Sequence, residues 1–291
     1  MVFSHLHSHT QFSLLDGAAS IPKLFKKAAD NGQPAIAITD HGNMFGVFEF
    51  VAEAAKQGGK VKPIVGCEFY LVEDRTQKVF TKDKKDKRYH QLFLAKNTEG
   101  YQNLTKLCSL GFMEGMYSKY PRIDKGLIEK YHKGLIATTC CLGARVPQMI
   151  LTKGEDAARK EFEYWLNMFG EDYYIELQRH RLADQIKVNE VLVRFAKEYN
   201  VKIIASNDSH YVEREDANAH DILLCINTGE KQATPKQEDY VDEDTPKRNT
   251  RFAFPNDEFY FKSTEEMTQL FSDLPQAIGN YFIRIDRKSV V

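Results

Sequence analysis

The sequence is short of the features that would mark an exported, membrane-bound or uniformly nucleic-acid-coating protein. Its five cysteines (Cys67, Cys108, Cys140, Cys141 and Cys225) are odd in number and never spaced C-x-x-C. That excludes a disulfide framework and a structural zinc knuckle, and most of them read as reduced, buried and inert. No apolar run is long enough to span a bilayer, and Met1-Val2-Phe3-Ser4-His5 lacks the basic and apolar regions of a signal peptide. The cytoplasm is therefore the expected compartment, with no membrane partner. Excess charge is missing too. With 40 Lys+Arg against 41 Asp+Glu, the surface is not basic throughout, and any contact with nucleic acid has to be local.

What remains is a globular composition, 42% hydrophobic and 28% charged over 291 residues. That is enough chain for one large α/β barrel or two ordinary domains. Short apolar runs alternate with amphipathic segments. Phe3–Leu6 reads as a strand, and Ile21–Ala29 as a helix capped by Ser20 and stopped by Asn31-Gly32. Ala35–Thr39 is a buried strand, Met44–Lys56 a helix and Lys62–Val72 a strand. The charged stretch Asp74–Arg88 reads as an exposed hairpin or loop. Beyond it come strand Gln91–Ala95, helix Gly100–Met113, strand Gly134–Thr139, helices near Ala144–Leu151 and Glu155–Phe169, strand Tyr173–Leu177, helix Ala183–Tyr199 and strand Val201–Ser206. About seven βα units predict a parallel barrel or a doubly wound sheet. Residues 228–250 are polar and read as a mobile surface loop. A β-like stretch (Phe252–Phe261) and helices beginning near Ser263 and Leu274 follow it.

The chemistry lies in where metal-type ligands fall. His5, His7 and His9 alternate at the end of the first strand, and residues two apart on a strand share a face. A core does not stack three imidazoles without a charge or a metal to satisfy them. Asp40 and His41 follow the second strand, Glu68 lies in the third, and His90 begins the fourth. Cys141 follows the fifth, and Asp208 and His210 follow the seventh. In a parallel α/β barrel the carboxyl ends of the strands share one face, where such residues converge. Imidazole with carboxylate and thiolate suits zinc, and mixed nitrogen and oxygen sets also suit manganese or iron. The donors are too many for one tetrahedral ion, so two or three divalent metals are expected, bridged by Glu68 or Asp208. Each residue alone would more often be structural. That is the reading for His132, His180 and His220 and for Cys140, while His5 is expected to orient ligands rather than to be one. Asp40 is a candidate orienter of the same kind. Arg145, Lys125 and Arg179 are candidate phosphate contacts that ordinary surface cations would resemble.

These residues also carry a resemblance. Leu6-His7-Ser8-His9, Thr39-Asp40-His41, Gly66-Cys67-Glu68 and Asn207-Asp208-Ser209-His210 resemble the motifs of the PHP (polymerase and histidinol phosphatase) superfamily. Phe12–Gly17, Ala37–Met44, Lys62–Gly66 and Asn97–Leu104 are similar to the corresponding stretches of bacterial DNA polymerase III α subunits, over about Phe3 to Asn280. The resemblance implies a distorted (βα)7 TIM-like barrel, the PHP fold, with a trinuclear centre. His7, His9, Glu68 and Asp208 would hold one metal, and Glu68 would bridge to a second on His90 and Cys141. Asp16, His41 and His210 would hold the third, and Asp16 enters on the resemblance alone.

The implied activity is metal-dependent 3′–5′ exonuclease proofreading at a DNA 3′ end. The implied partners are the remainder of the polymerase α subunit and other replicase subunits. A non-catalytic module that stabilises a polymerase and binds a separate proofreading subunit is the alternative. A small-molecule phosphatase fits the polymerase-like intervening segments less well. The expected organisation is a barrel with the metal centre over residues 1–227, the polar loop over 228–250, and the end of the PHP region with the start of a connection over 251–291. The polymerase carboxylates of the family are not in this stretch, so the chain is not expected to polymerise DNA alone. From residue 281 the sequence departs from the family pattern, as a cut end or a truncated reading frame would.

Overall fold

Aliphatic and β-branched runs of three to eleven residues, each flanked by amphipathic segments, fold as strands shielded by helices. The computed structural model describes residues 2–81, 85–236 and 249–279. The expectations for residues 82–84 of the charged stretch, 237–248 of the polar loop and 280–291 fall outside the described residues. The elements run α1 (Ile21–Asp30), β1 (Ala35–Ile38), α2 (Val47–Lys56), β2 (Lys62–Val72), β3 (Tyr89–Ala95), α3 (Thr98–Met113), β4 (Arg122–Asp124) and α4 (Lys125–Tyr131). They continue β5 (Leu135–Thr138), α5 (Arg145–Lys153), α6 (Glu155–Phe169), β6 (Tyr173–Leu177), α7 (Ala183–Tyr199), β7 (Ile203–Ala205), α8 (Ala217–Thr228), α9 (Thr264–Leu270) and α10 (Pro275–Gly279).

The sheet is ordered β1-β2-β3-β5-β6-β7, with β4 paired to β2. Its two edges are joined through the first residues of the chain. Ala37 N donates to His5 O (2.8 Å) and Thr39 N to Ser8 O (3.0 Å) on the β1 side, while His9 N donates to Ser209 O (2.8 Å) just past β7. The result is a distorted (βα)7-type barrel, and its interior is filled accordingly. Leu6, Ala37, Ile64, Leu94, Ile136, Tyr174 and Ile204 form one buried cluster, one side chain from each stave. Such a layer is how a closed barrel packs its lumen. Outside it, the helices bury Phe25 and Phe50 against β1, and Phe162, Trp165 and Phe195 against the staves from β3 to β7.

Several expectations need correction. The sheet is not all parallel, since β3 runs antiparallel to both β2 and β5. A parallel neighbour needs a crossover element, and residues 73–88 hold no helix among those described, so the chain returns in the opposite sense. Phe3–Leu6 is no regular strand, being held by isolated bridges at His5 and Ser8. Ser20 stands at the start of α1, but its side chain makes no capping bond; Gln11 Oε1 accepts from Ile21 N instead (3.1 Å). The short β4 and α4, and α8, are additions. The helix starting at Thr98 is capped by Asn97, whose side chain accepts from Gly100 N. Gly100 must be glycine, because a Cβ there would stand 1.8 Å from the Gly134 carbonyl.

Candidate metal centre

The barrel delivers its ligand-type residues to one end: His41, Cys141, Asp208 and His210 follow the carboxyl ends of β1, β5 and β7, Glu68 points in from within β2, and His7 and His9 come from the bridged segment that joins the two sheet edges. His90 is the apparent exception, at the start of its strand. It joins the others because β3 runs backwards, which brings its amino end to the same face. All nine candidates (His7, His9, Asp16, His41, Glu68, His90, Cys141, Asp208 and His210) meet there in one connected cluster. Glu68 is its hub. Its Oε1 lies 3.3 Å from His7 Nε2 and 3.1 Å from His90 Nδ1, and its Oε2 lies 3.3 Å from His9 Nε2 and 2.9 Å from His41 Nδ1. Asp208 Oδ1 is 3.2 Å from both His7 Nε2 and His9 Nε2. Asp16 Oδ2 stands between His41 Nε2 (2.9 Å) and His210 Nε2 (3.0 Å), and Cys141 Sγ is 3.3 Å from His90 Nδ1.

The surrounding hydrogen bonds define what these atoms can do. His7 Nδ1 donates to Glu176 Oε1 (2.7 Å) and His9 Nδ1 to Ser13 Oγ (3.0 Å). Ser13 Oγ in turn donates to Asp40 Oδ1 (2.6 Å). Each ring therefore presents a bare Nε2 to the cluster. Both Nε2 atoms, Asp208 Oδ1 and Glu68 Oε2 are enclosed and have no hydrogen-bond partner. Lone pairs facing one another at 3.2–3.3 Å repel unless a cation lies among them. The carboxylates demand positive charge in the same way. Burial pushes the His41 imidazolium down, but Glu68 and Asp16 outweigh it and raise His41 to about 10. Burial likewise opposes ionisation of Glu68, while His90 and His41 hold it well below the usual carboxylate range. The donor set fits divalent cations, with grouped ligand atoms at His7–His9–Asp208, His41–Glu68–His90, His9–His41–His210 and His7–Glu68–Cys140.

Two members of the site lay outside the sequence expectation. Cys140, read as core, directs its Sγ at Glu68 Oε1 (3.1 Å). Glu176 sits inside a strand, and a single carboxylate among Tyr173, Tyr174, Ile175 and Leu177 is the signal that marks it, since a buried charge needs a partner. Asp40 acts on His9 through Ser13 rather than on its neighbour His41.

His5 does not join. Its Nε2 bonds Lys262 O (2.9 Å), its ring packs on Phe3 and Phe261, and burial lowers it to about 3. His180 and His220 support the site through backbone, bonding Asn207 O and Asp16 O, and His132 bonds Glu129 O at the surface. Arg145 and Lys125 pair with Glu161, and Arg179 with Asp273. None of these three lines the cleft of about 960 Å³ over the cluster. The cations that do are Lys85, Lys87, Arg88 and Lys119, and the rings Phe45, Tyr70 and Phe112 share the lining.

No helix of the described residues is long and apolar enough to cross a membrane. The chain is 46% identical over 288 residues to the DNA polymerase III subunit alpha of Borreliella burgdorferi, covering 98% of this chain and 23% of that protein. It is 44% identical over 278 residues to that of Thermus aquaticus, covering 94% and 21%. The chain thus spans less than a quarter of the length of these curated relatives. Among solved structures, an amidohydrolase from Chromobacterium violaceum with bound sulfate and no metal matches at 15% identity and a TM-score of 0.43, over 72% of this chain and 88% of that one. A family profile described as the PHP domain matches residues 5–180, more than half of the sequence, and the chain belongs to that family.

Proposed function

We propose that the cluster is a two- or three-metal centre for hydrolysing the terminal phosphodiester of a DNA 3′ end, a 3′–5′ exonuclease within a replicative polymerase α subunit. The observation that carries the reading is the convergence of unpartnered buried donors: His7 Nε2, His9 Nε2, Asp208 Oδ1 and Glu68 Oε2. Zinc, manganese and iron all accept this mixture of imidazole, carboxylate and thiolate. Divalent ions in this cup would supply Lewis-acid polarisation of the phosphoester and neutralise charge on its departing oxygen.

The chain's own residues do the rest. Glu176 and the Asp40–Ser13 pair hold the two imidazoles in the tautomer that leaves Nε2 bare. Asp208 brings negative charge to the lining of the cleft, and Glu68 holds a second carboxylate buried beneath it, in contact with His7, His9, His41 and His90. Lys85, Lys87 and Arg88 on one wall suit phosphates, and Phe45 and Phe112, 5.6 Å apart, suit stacked bases. Similarity to DNA polymerase III α subunits over nearly the whole chain supports DNA as the substrate and the rest of that subunit, with other replicase subunits, as partners.

Elemental analysis of the purified chain, with digestion of a 3′-labelled oligonucleotide, tests the proposal. Bound divalent metal and nucleotide release are expected, both reduced in Asp208→Asn and His9→Ala. Digestion that survives both substitutions overturns the catalytic reading. Bound metal without digestion replaces it by a module that stabilises the polymerase and binds a separate proofreading subunit.

A further inference from the structure

Consecutive residues at the end of a strand ordinarily point to opposite sides. Cys140 and Cys141 do not. Their Sγ atoms lie 3.1 and 3.3 Å from the same oxygen, Glu68 Oε1, and 3.9 Å from each other. The backbone turns to allow it. Cys140 has φ of 58°, the left-handed region that a side-chain-bearing residue enters at a cost of about 1 kcal/mol or more. The amide of Cys140 is held by Thr138 Oγ1 (3.0 Å), whose own hydroxyl donates to Glu176 Oε2 (2.6 Å). The same carboxylate that fixes His7 therefore also braces this turn. The unpartnered Nε2 of His7 lies 3.3 Å from the same Glu68 oxygen and is grouped with Cys140 Sγ within ligand range, and His90 Nδ1 lies 3.3 Å from Cys141 Sγ.

We infer that Cys140 and Cys141 both ligate, so that this end of the centre is a two-thiolate subsite for a zinc-like cation, distinct in hardness from the oxygen- and imidazole-rich remainder. The inference rests on the proposal that the cluster is a metal centre. Thiolate pairs select borderline and soft ions over manganese and magnesium. On binding, each thiol gives its proton to solvent and its sulfur lone pair to the metal. Glu68 Oε1, beside both sulfurs, would be the carboxylate oxygen available to the soft subsite, while Oε2 faces His9 and His41. The left-handed turn at Cys140 is what a second sulfur donor requires, and a buried core cysteine would not.

Cobalt(II) provides the test, because sulfur-to-cobalt charge transfer in the near ultraviolet scales with the number of thiolates bound. The full chain is stripped of metal with a chelator, kept reduced, and titrated with cobalt(II). Cys140→Ser, Cys140→Gly and Cys141→Ser and the double serine variant are titrated alongside. Cys140→Gly relieves the left-handed backbone, so its fold is secure, and thermal melting checks the others. The expected result is that each single variant loses about half of the band per bound cobalt and the double variant loses all of it. A full-strength band in both Cys140 variants, with none in Cys141→Ser, would leave a metal centre with one thiolate and overturn this inference. If the unaltered chain binds no cobalt(II), the proposal of a metal centre itself fails.

Discussion

His7 Nδ1 lies 2.7 Å from Glu176 Oε1, and both side chains are buried. Ser206 Oγ also donates to that oxygen (2.5 Å), and Thr138 Oγ1 to its twin (2.6 Å). With its lone pairs so occupied, Glu176 can only accept from His7, and this fixes the ring with a bare Nε2 directed at Glu68 and Asp208. Glu176→Gln keeps the shape but adds an amide that donates to Nδ1 and moves the ring proton to Nε2. Zinc affinity is expected to fall about 10- to 100-fold, read by competition with a chromophoric chelator. Unaltered affinity would show that Glu176 does not orient the ligand.

Arg122 is wholly buried yet makes its bonds to a loop. Its guanidinium reaches Asp86 Oδ1 (2.7 Å), Gln77 O (2.8 Å) and Gly115 O (2.8 Å). Asp86 also holds Arg88 (2.7 Å), which stacks on Tyr120 at the cleft wall. Arg122→Met removes one partner of a buried pair and leaves Asp86 and the carbonyls of Arg75, Gln77 and Gly115 short of a donor. A loss of roughly 3–5 kcal/mol is expected, seen as a lower urea midpoint with an unchanged slope. A midpoint within error of the parent chain would mean that the stretches around Gln77 and Asp86 hold by other contacts.

Much of this was readable from residue order. The alternation of His7 and His9, and the placement of Asp40-His41, Cys141 and Asp208 just past strands with Glu68 inside one, are visible because residue spacing is a local property. Orientation was not. Whether β3 runs forward or back depends on pairing across the sheet, and His90 sits at the correct end only because it runs back. His5 shows the opposite error. Period two holds on a regular strand, but the chain bends between its bridges at His5 and Ser8, sending Leu6 into the barrel and His5 toward Lys262. Cys140 could not be told from a core cysteine, because its contact depends on one backbone angle.

His180 is enclosed between Gln185 and the Asn207 carbonyl and stacks on Phe259 at 3.9 Å. Burial is the leading cause that lowers its pKa to about 4. The unfolded chain, titrating near 6.5, binds the proton first as pH falls. Stability from this residue is therefore complete above about pH 6.5 and is lost progressively toward pH 4, by a few kcal/mol at most. His180→Gln keeps a donor for Asn207 O and removes the titration. Melting temperature against pH should fall less steeply from pH 6.5 to 4 in the variant than in the parent. Parallel curves would assign the acid sensitivity elsewhere.

Phe45 is 56% exposed and packs against Phe112 in the lining of the cleft, which also holds Lys85, Lys87 and Arg88. Exposing a phenylalanine beside a polar floor gains nothing for folding, since burial of its ring would stabilise the chain. Such a ring gives a flat surface that any base can cover, without regard to sequence. A base stacked there would align the adjoining phosphates with the cationic wall and bring the terminal linkage over Glu68 and Asp208. Phe45→Ala is expected to weaken capture of a single-stranded 3′ end by about 1–3 kcal/mol, so KM for an oligonucleotide rises roughly tenfold or more. A small phosphodiester with no base to stack should show a much smaller rise in KM. Equal changes on the two substrates would remove Phe45 from the binding wall and locate its effect in the fold of the segment that leads into α2.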